Sequence, residues 1–577
     1  MTGIAKDLNF AALPHYQKRK FLPEKVNFSN KEEAAAVYER LLSRSINSAK
    51  DLEQWLLDRS ELETALDQAG SVLYIRMTCQ TNDPERAKAY QHFIETVVPA
   101  VKPLDHQLNQ KYLQAVSNFP LESKRYALYD RRIRSDMDLF RQENIPLQTA
   151  VALLAQEYQT ICGAMMVNFQ SKEQTLPQMG KFLLEPERGL REAAWRATAH
   201  RRLQDSAKLD ALFDEMLKLR DKIAHNAGLK NFCEYQFQTY HRFDYTQKDC
   251  EQYHQAIEQL VVPLWKKILE KRRQQMKLDT LRPWDTAVDP LGRKPLKPFQ
   301  EVPELLEGVK NIFLKMDQDL GQQFAEMIKL GLLDLASYKG KAPGGYQTVL
   351  AEARKPFIFM NAVGVDDDVR TLLHEAGHAF HALASSHHPL FAYRHAPMEF
   401  CEVASMSMEL LGGEYLSVFY DSEDWQRSHA IQLEEMVYIL IWVAVIDAFQ
   451  QWIYQSPDHN LEERSAAWLR IHRRFGADLV DWSGLEKEQG WLWHRQLHIF
   501  EVPFYHIEYG IAQLGALQLW TRAKKDLAGT LADYRKALSL GASRPLPELF
   551  TAAGLKFDFS EKTIAPLMQA IKAELKV

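Results

Sequence analysis

Helical periodicity is the feature that most narrows the folds open to this chain. Across residues 188–228, "RGLREAAWRATAHRRLQDSAKLDALFDEMLKLRDKIAHNAG", apolar side chains recur every three or four positions, as they do along one face of an α-helix. Asn226 and Gly228 supply stop signals at its end. "KEEAAAVYERLLSRS", residues 31–45, has the same texture. Strand signals are few. The best is "KPFIFMNAVG", residues 355–364, a short apolar run opened by Pro356 and closed by Gly364. "LRPWDTAVDPLGRKPLKPFQEVP" carries five prolines from Pro283 to Pro303 and reads as a long irregular excursion with apolar residues interleaved. The expected fold class is mainly α with a small amount of sheet.

At 577 residues the chain exceeds a single compact core, so several domains or one large lobed body are expected. The net charge of −5 leaves no basic footprint for nucleic acid. Cys79, Cys162, Cys233, Cys250 and Cys401 are irregularly spaced and contain no CxxC pair, which fits a reducing cytosol better than a disulfide framework. The opening "MTGIAKDLNFAALPHYQKRK" lacks the apolar core of a signal peptide. The most apolar run, Met436 to Ile446, ends at Asp447 and is too short to span a bilayer, so it is read as a buried helix. A soluble, cytoplasmic protein with no membrane or nucleic-acid partner is expected; the oligomeric state is open.

Chemistry concentrates in "TLLHEAGHAF", residues 371–380. On a helix, His374 and His378 share a face and can turn both imidazoles to one ion. The preceding "DDDVRTLL" provides an acidic first turn that supports a helix there. Glu375 lies about 100° around the helix from His374, where its carboxylate reaches water at the metal without displacing a ligand. Gly377 costs helix stability, which suggests that bulk beside the site is unwelcome. A two-histidine zinc site needs a third protein ligand, and the next helix, "MEFCEVASMSMELLGGEYL" over 398–416, offers Glu399, Glu402 and Glu409. Spacing alone leaves Glu399 and Glu402 as alternatives.

"HEAGHAFH" followed by "FCEVASMSME" resembles the thimet oligopeptidase and oligoendopeptidase F family of zinc metallopeptidases. That family's HExGHxxH motif precedes a ligand glutamate by a little over twenty residues, and a further glutamate follows the ligand by seven. The resemblance therefore implies zinc, one per chain, held by His374, His378 and Glu402. It implies Glu375 as general base; Glu409, the further glutamate, is read as accepting the second ring N–H of a zinc histidine, with a salt bridge within the helix pair as the alternative. "RDKIAHNAGLKNFCEYQ" and "PFIFMN" extend it, so that it covers roughly residues 190–560. It implies a large, two-lobed helical peptidase with a deep substrate channel and a small sheet beside the zinc helix. An N-terminal helical lobe over 1–190 would form part of the wall, and 191–577 the catalytic region.

The family also places a histidine and tyrosines in a C-terminal segment opposite the zinc. In "HRQLHIFEVPFYHIEYGIAQLGALQLW" these are His498, Tyr505 and Tyr509, with the tyrosines four apart on an expected helix after Pro503. One of them would donate to the oxyanion. Ala512 stands where the thimet branch has a further tyrosine, so the choice between Tyr505 and Tyr509 stays open. His494 and His506 are read as structural or surface histidines. His381, Gly345 in the loop "KGKAPGGYQ" and Phe359 on an exposed strand edge are the candidate substrate contacts. The implied activity is hydrolysis of internal bonds in short unfolded peptides. The alternatives are a zinc carboxypeptidase or dipeptidase of similar fold, and a zinc-containing peptide-binding protein without turnover.

Overall fold

A computed structural model describes Phe10 and residues 13–338, 341–342 and 344–577. Most of the opening segment, and Lys339, Gly340 and Pro343 of the glycine-containing loop, lie outside the described residues.

The chain is mainly helical, as its periodicity predicts. α1 (Ala49–Cys79) starts where the Ser48 side chain accepts the Asp51 N–H. A hairpin that the sequence did not announce follows, β1 (Met166–Phe169) with β2 (Lys172–Thr175). Its two turn residues, Gln170 and Ser171, both have positive φ, 51° and 61°. A tight hairpin demands that geometry, but Asn-Gly usually marks it, so the turn carried no recognisable sequence signal.

The single helix expected over 188–228 is two, α2 (Arg188–Gln204) and α3 (Ser206–Asn226). Asp205 makes the break, with its carboxylate held by Arg201 at 2.6 Å and Lys208 at 2.9 Å. The stop is as expected: Gly228 adopts φ +79°, and the Leu229 N–H closes on the Ala224 carbonyl at 3.0 Å. In the proline-rich excursion, fully buried Asp285 pairs with Arg188 at 2.7 Å and Arg191 at 3.1 Å.

A three-stranded sheet has β3 (Leu333–Ala336) and β4 (Tyr346–Leu350) on either side of β5 (Lys355–Ala362). β5 is the strand read from the sequence, but it is the middle strand. Phe359 pairs with Asp334 on one side and Tyr346 on the other. The edges of the sheet are β3 and β4, of which β4 is the less buried. The continuous apolar run of β5 reflects burial on both faces.

From β5 the chain enters α4 (Asp366–Ser385) and then α5 (Met398–Gly413). The acidic turn does what its position predicts: Asp368 Oδ2 accepts the N–H groups of Val363, Gly364 and Val365 at 2.8–2.9 Å. The apolar run 436–446 sits inside α6 (Ser422–Gln455), 34 residues long. α6 is long and apolar enough to cross a membrane, with a mean hydropathy of 1.6 over its best window, yet 78% of that window is buried inside the protein. Asp447 does not end it. That carboxylate is fully buried and bound by His254 Nε2 at 2.9 Å and Gln451 at 2.7 Å. α7 (Ile507–Ala523) and α8 (Leu527–Ser539) follow.

These elements form two compact units, each drawn from three stretches. The first takes Met1–Met137, Lys297–His429 and Gly515–Phe557; the second takes Asp138–Leu296, Ala430–Leu514 and Asp558–Val577. The first unit packs around Trp55, Leu62, Leu108 and Tyr112 and carries the three-stranded sheet with α4 and α5. The second packs aromatic rings, with Trp493 stacked on Phe500 and edge-on to Phe213.

Candidate metal centre

α4 and α5 can approach closely because Gly377 faces α5. A Cβ at that position would lie 2.6 Å from both the Ala404 carbonyl oxygen and the Ser405 Cα. The bulk that the sequence disfavoured is thus excluded by a neighbouring backbone. From α8, the Tyr534 hydroxyl donates to the same Ala404 carbonyl at 2.9 Å and braces the crossing.

At this crossing His374, His378 and Glu402 converge, with one ligand atom from each lying within 4.8 Å of the others. Glu402 Oε2 stands 3.5 Å from His374 Nε2 and 3.7 Å from His378 Nε2. Those separations exceed an ordinary hydrogen bond but are close to the ~3.4 Å between neighbouring ligands of a tetrahedral zinc ion. The outer sides of the donors are already occupied. Glu409 Oε1 lies 2.6 Å from His374 Nδ1, the Cys401 carbonyl accepts from His378, and Ser405 Oγ donates to Glu402 Oε2 at 3.0 Å. The contact of Glu409 with Nδ1 leaves His374 Nε2 facing Glu402 and available to an ion. The residues fit zinc by number, type and support. Glu399, one turn earlier, is 4% exposed and outside this group; its charge acts on Arg132.

Burial would lower the His374 pKa, but Glu409, Glu402 and Glu375 together push it up to about 9. Burial takes His378 down to about 4. Glu375 is 7% exposed, and its Oε2 meets no partner among the described residues. Burial, with Glu402 and Glu409 nearby, lifts its carboxyl to about 7. Such a group holds a proton near neutrality and can release it.

The candidate substrate contacts fare differently. Phe359 is fully buried under Tyr346, with ring centroids 4.7 Å apart, so its side chain touches no substrate. His381 is also buried, edge-on to Phe400 of α5 at 5.9 Å, and burial drives its pKa down to about 3. Gly345 rests where a Cβ would lie 3.4 Å from the Phe359 carbonyl and 3.6 Å from Thr371 of α4.

Within the second unit, His498, Tyr505 and Tyr509 come together: His498 is 5.8 Å and 5.7 Å from the two tyrosine rings, which are 5.4 Å apart. The helix expected to carry both tyrosines begins only at Ile507, so Tyr505 belongs to the turn before it. That turn bends at Phe504, whose φ of +65° is rare for a bulky residue. Gln450 Oε1 accepts the Phe504 N–H at 2.8 Å, and Arg242 donates to the Phe504 carbonyl at 2.7 Å. Arg242 also forms a fully buried pair with Glu508 at 2.6 Å. His506, read from the sequence as structural or surface, joins the cluster 4.8 Å from His498, and neither of its ring nitrogens has a partner among the described residues. Only its position between the two tyrosines hinted at this.

Comparison with known proteins identifies the family. The model for Peptidase family M3 matches residues 182–568, and that for the Peptidase M3 N-terminal domain matches residues 21–140. Oligopeptidase PepF of Bacillus subtilis (strain 168) is 25% identical over 305 residues, 51% of this chain and 44% of that protein. An oligoendopeptidase F homolog of Borreliella burgdorferi is 24% identical over 251 residues, 41% of each. The match thus spans less than half the length of either curated relative. The solved structure of PZ peptidase A with an inhibitor superposes with a TM-score of 0.88 at 28% identity, over 96% of this chain and 99% of that one. Two thirds of the sequence lies within the first of these family models, and the chain belongs to Peptidase family M3.

Proposed function

We propose that the chain is a zinc-dependent endopeptidase that cuts internal bonds of short oligopeptides. The observation that carries this reading is Glu375: a buried carboxyl with a free oxygen, beside two histidines and a glutamate already braced as ligands. Zinc held by His374, His378 and Glu402, one ion per chain, supplies Lewis acidity, polarising the scissile carbonyl and acidifying water. Glu375 takes one proton from the attacking water as its oxygen bonds to the carbonyl carbon. The same carboxyl delivers that proton to the amine as the C–N bond breaks. Glu409 and the Cys401 carbonyl keep both imidazoles oriented throughout. For Tyr505, Tyr509 and His498 the proposal keeps the role of donors to the oxyanion, which rests on the resemblance.

The peptide backbone is placed along the outer edge of β4, with Gly345 at its start. Oligopeptides are the substrates that the relatives' names give, and the five scattered cysteines, with no CxxC spacing, support a cytoplasmic setting.

Mass-spectrometric mapping of an end-blocked peptide mixture tests the reading, with one peptide series stepping proline along the sequence. Wild type should make internal cuts, with gaps where proline removes an N–H that β4 would bind. Glu375→Gln should keep its zinc and lose about 10²–10⁴-fold in turnover. Cuts confined to free-ended peptides would indicate an exopeptidase, and retained turnover in Glu375→Gln would remove Glu375 as the base.

A further inference from the structure

Between β3 and β5 the register slips. Leu333 and Asp334 pair with Ile358 and Phe359, but Ala336 pairs with Ala362, so β5 carries one extra residue. Such a bulge leaves main-chain carbonyls without strand partners, and buried carbonyls need donors. Lys341 supplies them. Its Nζ lies 2.9 Å from the Asp334 carbonyl, 2.8 Å from that of Ala336 and 2.5 Å from that of Met360. It also pairs with Asp334 Oδ1 at 2.8 Å, both side chains being 0% exposed. The Tyr338 hydroxyl donates to Asp334 Oδ2 at 2.8 Å, and the ammonium sits 4.4 Å above the Phe359 ring. Withdrawing Lys341 would strand a buried carboxylate, so the chain at this point is fixed to the sheet.

The next residues are fixed in turn. Asn361 Nδ2 donates to the Ala342 carbonyl at 2.8 Å and the Gly344 carbonyl at 2.9 Å. Two carbonyl acceptors settle which end of the amide points inward, since only the NH2 group can serve both. The Ala342 N–H reaches the Thr78 carbonyl of α1 at 2.8 Å, and the Thr78 hydroxyl meets the Tyr346 hydroxyl at 2.6 Å. Gly344, at φ +90°, lets the chain turn so that Gly345 lies against Thr371, one helical turn before His374.

We propose that Lys341 and Asn361 are positioning residues: they hold Ala342, Gly344 and Gly345 against the start of the metal-bearing helix and so set the outer edge of β4 for a peptide backbone. The inference rests on the endopeptidase reading. It assigns peptide affinity to two side chains that need touch neither peptide nor metal. A purely structural clamp would lower stability and leave peptide affinity alone.

The test separates the two. Calorimetry measures binding of an end-blocked peptide, one that wild type cleaves, to zinc-loaded Glu375→Gln, and then to the same protein with Asn361→Leu. The expected result is a Kd raised by about tenfold or more with the zinc content unchanged. In the active background KM should rise in parallel while kcat stays within about threefold. Lys341→Met should act in the same direction, and Asp334→Asn added to it removes the stranded charge while leaving the affinity loss in place. Asn361→Leu with an unchanged Kd, or a Kd loss matched by loss of zinc, overturns the proposal. A peptide that neither binds Glu375→Gln nor is cut by wild type overturns the endopeptidase reading itself, and this inference with it.

Discussion

The histidine clusters of His374 and of His498, one in each compact unit, are held in opposite ways. The candidate metal ligands lie on two regular helices: His374 and His378 one turn apart on α4 and Glu402 on α5, with Glu409, the partner of His374, two turns beyond Glu402. Their orientation comes from helical period and from a glycine that lets the helices meet. His498, Tyr505 and Tyr509 instead surround a turn bent at Phe504, held by Gln450 from α6 and by Arg242 from far upstream. In the first cluster local sequence fixes geometry; in the second, distant side chains force it.

If that contrast is right, the second cluster should fail from a distance. Arg242→Met would leave Glu508, 1% exposed, as an uncompensated buried charge and release the Phe504 carbonyl. Breaking a buried pair in this way costs about 3–5 kcal/mol. Denaturant unfolding should show a loss of that size, while zinc affinity stays at the wild-type value. A loss below about 1 kcal/mol would mean that the turn is held by something else.

The same contrast explains what could be read beforehand. α4, its acidic start and the central strand before it follow periodicity and capping chemistry, so their sequences declared them. The choice of Glu402 over Glu399 did not follow from spacing, because both lie on one face of α5; where α5 crosses α4 it is Glu402 that groups with the two histidines. That β5 is a middle strand was hidden for a simpler reason. A strand's apolar run reports burial of its faces and says nothing about which edges are paired. β3 and β4 were too short to stand out. The break at Asp205 was missed because local side-chain contacts, to Arg201 four residues before and Lys208 three after, interrupt a continuous apolar pattern, and the late start of α7 because the tertiary contact of Gln450 with Phe504 does so.

Burial within the first cluster can be sharpened by its proton balance in metal-free protein. The folded state lifts Glu375 from the ordinary 4.5 to about 7, burial being the main cause. A raised carboxyl binds its proton more tightly when folded, so its contribution is complete below pH 4.5 and is lost as pH rises to 7. At 1.36 kcal/mol per unit this amounts to about 3 kcal/mol. Glu375→Gln has no such proton, so wild-type stability relative to the variant should fall by that amount between pH 4.5 and 7. Chemical denaturation of both proteins across that range measures it, and a constant difference would mean that Glu375 is solvated.

The smallest effect tests whether Glu409 is a true support for the metal ligand. Removing such a partner ordinarily weakens metal binding by about 10–100-fold. Here the partner works in two directions. Glu409 orients the His374 ring through the 2.6 Å contact to Nδ1, yet it also helps to raise that imidazole's pKa to about 9, and a protonated imidazole cannot bind zinc. At pH 7 wild type must therefore displace a proton that Glu409→Ala binds less tightly, which offsets part of the lost orientation. Above pH 9 the competition ends for both proteins and the orienting effect stands alone. Zinc affinity of wild type relative to Glu409→Ala should thus be near parity at pH 7 and climb toward the full 10–100-fold above pH 9. A ratio that does not change with pH would show that Glu409 sets the ring's direction without governing its proton.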